Sequence, residues 1–155
     1  MASDDFNLSD LLPYRLSVLA AHMSKKLSKV YGHTYGLTTP EWRVLAHVAH
    51  REKMSVREIH DSVSLDKPSV SRAVSKLKKA GLLAKSISVR DHRLVEIEIT
   101  DKGLESFRRI APEALAFEAA VLKAFSAEEV KQLDYLLTPA EGCCGRAGRL
   151  GLNDR

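Results

Sequence analysis

Residues 66–83, DKPSVSRAVSKLKKAGLL, constrain the fold more than any other stretch of the chain. Asp66 is placed to cap a helix, because its carboxylate can accept from the free N–H groups of the first turn. Pro68 falls in that turn, where a missing donor costs little. Val70, Ala73, Val74 and Leu77 then recur at helical spacing and predict one buried face. Ser69, Arg72, Ser75, Lys76 and Lys79 fall on the remaining surface, and Gly81 is placed to end the helix. Short hydroxyls interleaved with cations suit the major groove, since the cations meet phosphates and the small residues approach base edges. An ordinary solvated helix has the same stripe, so the flanking segments decide.

Upstream, SVREIHDSVSL contains an S-x-x-E capping box at Ser55 and Glu58, with Ile59 and Val63 facing inward. Only Ser64 and Leu65 separate this helix from the next, so the two must cross steeply in helix-turn-helix geometry. Downstream, residues 82–86 and 94–99 are expected as strands. In the second, Val95, Ile97 and Ile99 alternate with Glu96 and Glu98, the period of a half-buried strand. VRDHR between them makes a basic hairpin tip. The expected fold is mainly α with a small two-stranded β-wing, a winged helix-turn-helix.

The flanks are helical. Residues 9–31 carry Leu12, Leu16, Leu19, Met23, Leu27 and Val30 at threes and fours, a helix of about 30 Å at 1.5 Å per residue. A second capping box, Thr38 with Glu41, opens a helix through Trp42, Leu45 and Val48 to His50. Thr100 caps a long helix that Pro112 is expected to kink or interrupt. Ser126 and Glu129 open a last helix, which Pro139 is expected to end. The organisation is therefore an N-terminal helix in 1–36, a winged module in 37–100, C-terminal helices in 101–139 and a flexible tail in 140–155. Apolar helices on both sides of the module exceed what it can cover. The apolar face of the first helix therefore needs a partner, either the C-terminal helices or a second copy, and in the second case the N- and C-terminal helices form a dimerisation domain.

The order LDKPSVSRAVSKLKKAGLL, then D-x-R at Asp91 and Arg93, then T-D-K-G at residues 100–103, resembles the MarR family of bacterial transcription regulators. The likeness covers residues 11–137. The tip departs from the family pattern, carrying Ile87-Ser88-Val89-Arg90 where Pro and Asp usually precede D-x-R. The resemblance implies a homodimer whose first and last helices intertwine, binding a palindromic operator in double-stranded DNA, usually as a repressor. Two reading helices would then stand about 34 Å apart, one turn of DNA. Helix position and the family pattern put Ser69, Ser71, Arg72 and Ser75 near base edges, and Lys67, Lys76, Lys78 and Lys79 at phosphates. At the wing, Arg93 would enter the minor groove, held by Asp91 and flanked by Arg90 and His92. A surface salt bridge is the plainer reading of the Asp91–Arg93 pair.

The resemblance further implies a small-molecule effector, often an aromatic acid or its thioester, which releases DNA. Tyr14, Arg15, His22, Trp42 and Arg43 are the candidate lining residues. Either arginine suits a carboxylate and Trp42 a ring, although Trp42 also reads as a core anchor and Tyr14 as a dimer contact. Peroxide-sensing relatives keep a reactive cysteine at the start of the first helix. Here the two cysteines are the adjacent pair Cys143 and Cys144, candidates for oxidation or soft-metal binding.

Charge distribution agrees with nucleic acid. Residues 66–93 hold eight cations against two anions, net +6, which leaves −2 for the rest of a chain of net charge +4. No apolar run approaches the roughly 18 residues of a membrane span and MASDDFNLSD is unlike a signal peptide, so a cytoplasmic location is expected. The six histidines show no zinc-ligand spacing, and neither a phosphate loop, a nucleophile elbow nor paired carboxylates suggest an enzyme. No metal or cofactor is expected. A winged helix serving only as a protein-binding module remains the competing class, but it has no need of a cation-rich second helix.

Overall fold

The computed structural model describes residues 6–87 and 95–144. Its elements are α1 (Leu12–Tyr35), α2 (Thr39–Arg51), β1 (Lys53–Ser55), α3 (Val56–Val63), α4 (Lys67–Lys79), β2 (Leu83–Ile87), β3 (Val95–Ile99), α5 (Asp101–Leu122) and α6 (Ala127–Cys144). A 3-10 turn, Leu8–Asp10, precedes α1. The chain divides into two compact units, Met1–Ala114 and Leu115–Arg155.

In the first unit α2, α3 and α4 pack around one core, closed on one side by the sheet. Val70, Ala73, Val74 and Leu77 of α4 are all buried, as their spacing requires. They meet Ile59 and Val63 of α3, Val44, Leu45 and Val48 of α2, and Ile97 of β3. The sheet is antiparallel in the order β1-β3-β2, with Leu83 opposite Ile99 and Ile87 opposite Val95. It has three strands where the sequence led us to expect two. The extra strand, β1, pairs Met54 with Ile97 on the free edge of β3. It has three residues, of which only Met54 is buried, too short a run for alternation to register.

Capping decides where the helices begin. The Ser55–Glu58 box is closed in both directions, at 2.7 and 3.2 Å, and Ser126 and Glu129 repeat it at 2.7 and 3.3 Å. α1 starts three residues later than expected, after the 3-10 turn, and runs four residues further, to Tyr35, where Gly36 caps it. α4 ends as its glycine requires. Gly81 adopts φ +73°, and the N–H groups of Gly81 and Leu82 donate to the carbonyls of Lys78 and Leu77 at 3.0 and 2.9 Å.

Pro139 acts differently from expectation, and Pro112 does not interrupt its helix. α5 is a single helix through Pro112, and α6 continues through Pro139 to Cys144, five residues into the stretch expected as tail. Both prolines are exposed, and so are Arg108 and Tyr135, whose carbonyls lose the helical partner. A carbonyl facing solvent can bond water instead, so neither proline ends its helix.

The two ends of the chain carry large uncovered apolar residues. Leu12, Leu16, Leu19 and Met23 on α1 are 62, 45, 55 and 36% exposed. In the second unit Leu133, Leu136 and Leu137 on α6 are likewise exposed.

Candidate nucleic-acid interface

The exposed face of α4 is ordered from its first turn. Asp66 Oδ1 accepts from the Ser69 backbone N–H at 2.8 Å, while its Oδ2 accepts from the Ser69 hydroxyl at 2.7 Å. Arg72 Nη2 in turn donates to that hydroxyl oxygen at 3.2 Å. Ser69 is thus a relay that orders Arg72 and not a free hydroxyl. These bonds, the Ser69 hydroxyl first and its N–H second, hold the Asp66 carboxyl below the usual carboxylate range. The Glu58 carboxyl is likewise lowered, by the Ser55 backbone N–H first and its hydroxyl second.

Of the other residues expected at DNA, Lys67, Ser71, Arg72, Ser75, Lys76 and Lys79 are exposed, and Lys78 is half-buried. Helical spacing turns Arg72, Ser75 and Lys79 away from the buried stripe, with Ser71 and Lys76 on opposite flanks. Lys76 has a partner that spacing did not reveal. Its Nζ lies 3.3 Å from Glu41 Oε1, while Glu41 Oε2 accepts from the Thr38 N–H at 2.9 Å. Glu41 is the one charged residue in the described core, 6% exposed. The capping box located it, but a box explains only one of its two oxygens. The ion pair ties the flank of α4 to the start of α2. Because Lys76 itself is largely exposed, the pair adds orientation more than stability.

Recesses flank α4 on both sides. A cleft of about 680 Å³ is lined by Val56, Arg57, His60 and Asp61 of α3 with Lys67, Val70 and Ser71 of α4. A smaller one, about 130 Å³, lies among Thr38, Pro40, Glu41, Ser69, Arg72, Ala73 and Lys76. The wing residues Arg90, Asp91, His92 and Arg93 lie outside the described residues.

The five effector candidates fall into two sets. Tyr14, Arg15 and His22 are exposed along the N-terminal half of α1, and Trp42 and Arg43 are half-buried on α2. None of the five lines either recess. Trp42 stacks on Tyr31 at 5.7 Å and on Phe107 at 5.9 Å between centroids, each at 19°. The Tyr31 hydroxyl is 2.9 Å from that of Thr39. Three rings therefore join α1, α2 and α5, and the core-anchor role weighed for Trp42 is present. Arg43 shares one face of α2 with His47, His50 and Arg51. Burial first, then these neighbours, lower the His47 pKa. Among the described residues no cluster of His, Cys, Asp or Glu can hold a metal ion, and no helix is long and apolar enough to cross a membrane. Cys143 and Cys144 occupy the end of α6.

Comparison with known proteins follows the same residues. The description of the MarR family matches residues 35–94, which span α2, the helix-turn-helix and the start of the wing. HTH-type transcriptional regulator MhqR of Bacillus subtilis (strain 168) is 30% identical over 132 residues, covering 85% of this chain and 81% of that protein. A MarR/EmrR family transcriptional regulator from Acinetobacter sp. ADP1 superposes with a TM-score of 0.80 at 28% identity, over 88% of this chain and 96% of that one. BpsR of Bordetella bronchiseptica, solved in a study of how 6-hydroxynicotinic acid regulates its DNA binding, shares the fold with a TM-score of 0.79. It is 19% identical, over 88% of this chain and 96% of that one. Sequence, fold and helix-turn-helix agree: the chain belongs to the MarR family of DNA-binding transcriptional regulators.

Proposed function

We propose that the chain is a ligand-responsive repressor that binds a palindromic operator as a homodimer. The observation that carries this is the exposed face of α4, where Arg72 is pre-ordered by Ser69 and Asp66 opposite a fully buried stripe. A side chain already held in place loses less entropy on meeting a base edge or phosphate. Ser69, Ser71, Arg72 and Ser75 lie near base edges, and Lys67, Lys76, Lys78 and Lys79 serve phosphates. Arg93 enters the minor groove beside the operator half-site, oriented by Asp91 and flanked by Arg90 and His92.

The uncovered leucines of α1 and α6 support pairing of two copies through the terminal helices. A two-fold dimer presents two α4 helices to successive major grooves, which makes the site palindromic.

For the effector, a small aromatic acid or its thioester suits either Arg15, which shares α1 with Tyr14 and His22, or Arg43 on α2. The regulation of DNA binding in BpsR, a protein of the same fold, by 6-hydroxynicotinic acid supports this reading. Trp42, already stacked on two rings, acts as a fixed wall and also as a reporter, being the single tryptophan of the chain. The test is a fluorescence-anisotropy titration against duplex DNA from upstream of the chain's own gene. It is repeated with phenolic acids, their coenzyme A thioesters, peroxide and soft metals. Release by one aromatic compound, with a change in Trp42 emission, is the expected result. Release by oxidant or metal alone would replace it with a switch at Cys143 and Cys144.

A further inference from the structure

The T-D-K-G segment, residues 100–103, has a geometry that neither the wing nor the reading face uses. At the end of α4 the chain turns through Ala80, Gly81 and Leu82 into β2, and each of these three carbonyls is met by the start of α5. Lys102 Nζ donates to Ala80 O at 2.8 Å, and the Thr100 hydroxyl donates to Gly81 O at 2.7 Å. The Thr100 N–H donates to Leu82 O at 3.2 Å. The Thr100 hydroxyl oxygen also accepts from Gly103 N–H at 3.0 Å, capping α5. Gly103 is buried against the same strip, and a Cβ there would overlap the Leu82 carbonyl oxygen. Helix ends normally leave such carbonyls to solvent, and a cation beside them also opposes the negative end of the helix dipole.

We propose that Thr100, Lys102 and Gly103 form a latch that positions the reading helix from its C-terminal end. Lys102 is a positioning residue: it acts on DNA through α4 and makes no phosphate contact of its own. The inference rests on α4 being the reading helix. Its charge would invite the opposite assignment, since Lys102 is exposed near a basic surface. The two roles separate by salt dependence. A phosphate contact contributes about 0.9 to the slope of log affinity against log salt, whereas a residue that orients a helix changes affinity and leaves the slope alone. The latch also ties α4 and β2 to one turn of α5, so movement of that turn is carried to both.

The experiment compares the full chain with Lys102→Met, Lys102→Arg and, as the phosphate comparator, Lys79→Met. Duplex affinity is measured across salt, and amide exchange of residues 80–83 is followed without DNA. Lys102→Met is expected to weaken binding about three- to tenfold with an unchanged slope, the size of a lost C-terminal cation interaction. Exchange at residues 80–83 should quicken. Lys102→Arg, which keeps a donor and the charge, should restore both, while Lys79→Met should lower the slope. A slope reduced in Lys102→Met as in Lys79→Met would overturn the proposal, as would unchanged exchange. Absence of duplex binding by the parent chain would remove the DNA reading. That failure is distinct from failure of the latch, because exchange at residues 80–83 reads the latch without DNA.

Discussion

α4 and α1 carry the same kind of apolar stripe and meet opposite fates. On α4 every stripe residue is buried, none more than 6% exposed. On α1 the stripe is buried only at its C-terminal end, where Tyr31 is 1% exposed, and Leu12, Leu16, Leu19 and Met23 stay open. Periodicity therefore states that a face must be covered, without stating by what. The winged module completes its core within one chain, whereas the terminal helices leave apolar surface uncovered, which the proposed dimer would cover.

Breaking the uncovered face should have the largest effect. Leu16→Glu with Leu19→Glu is expected to abolish the dimer on size exclusion and to lower operator affinity by two orders of magnitude or more, about 3 kcal/mol or above. Far-ultraviolet circular dichroism should stay helical. Loss of helicity instead would mean that α1 is needed within the single chain.

Breaking the covered face should act on stability first. Leu77→Ala removes a side chain that is 1% exposed and is expected to cost about 2–5 kcal/mol in urea unfolding. Leu136→Ala, at a residue 63% exposed in the single chain, should shift the dimer midpoint instead. Equal unfolding costs at both positions would erase the distinction between the faces.

A smaller effect is expected in the relay. Ser69→Ala keeps the Asp66 acceptor for its backbone N–H but removes the hydroxyl bonded to Arg72, and should weaken DNA binding about three- to tenfold. Unchanged affinity would show that Arg72 needs no pre-ordering.

The smallest effect is in the caps. The Asp66 and Glu58 carboxyls are held below their ordinary range by hydrogen bonds in the folded chain. Their contribution is present above about pH 4 and is lost as pH falls through that value toward their folded pKa. Asp66→Asn, which still caps, should make thermal stability fall less steeply than in the parent between about pH 5 and 3. Identical pH profiles would show that the lowered pKa has no thermodynamic consequence.

The helix-turn-helix was legible because local rules converge there: Asp66 capping, the stripe from Val70 to Leu77 and Gly81 at positive φ all operate within a few residues. β1 was not legible, because a strand with one buried residue exists only through its pairing with β3. Pro139 misled, and Pro112 brought no interruption, since a proline's cost in a helix depends on which way the freed carbonyl faces, a tertiary property. The cation and hydroxyl face of α4 was legible by residue type, but its wiring was not. Ser69 as a relay, Glu41 reaching Lys76 and Lys102 reaching Ala80 each depend on a side chain's second bond or on a distant segment. Trp42 was legible as an anchor, while its partners Tyr31 and Phe107 lie on other helices.

The most direct measurement is sedimentation equilibrium of the chain with and without a labelled duplex from upstream of its own gene, at about 50 and 200 mM salt. We expect twice the chain mass in the absence of DNA and two chains per duplex at the lower salt. At the higher salt much of the complex should dissociate while the dimer remains. A single-chain mass throughout, or a complex indifferent to salt, would contradict a dimer that reads DNA through α4.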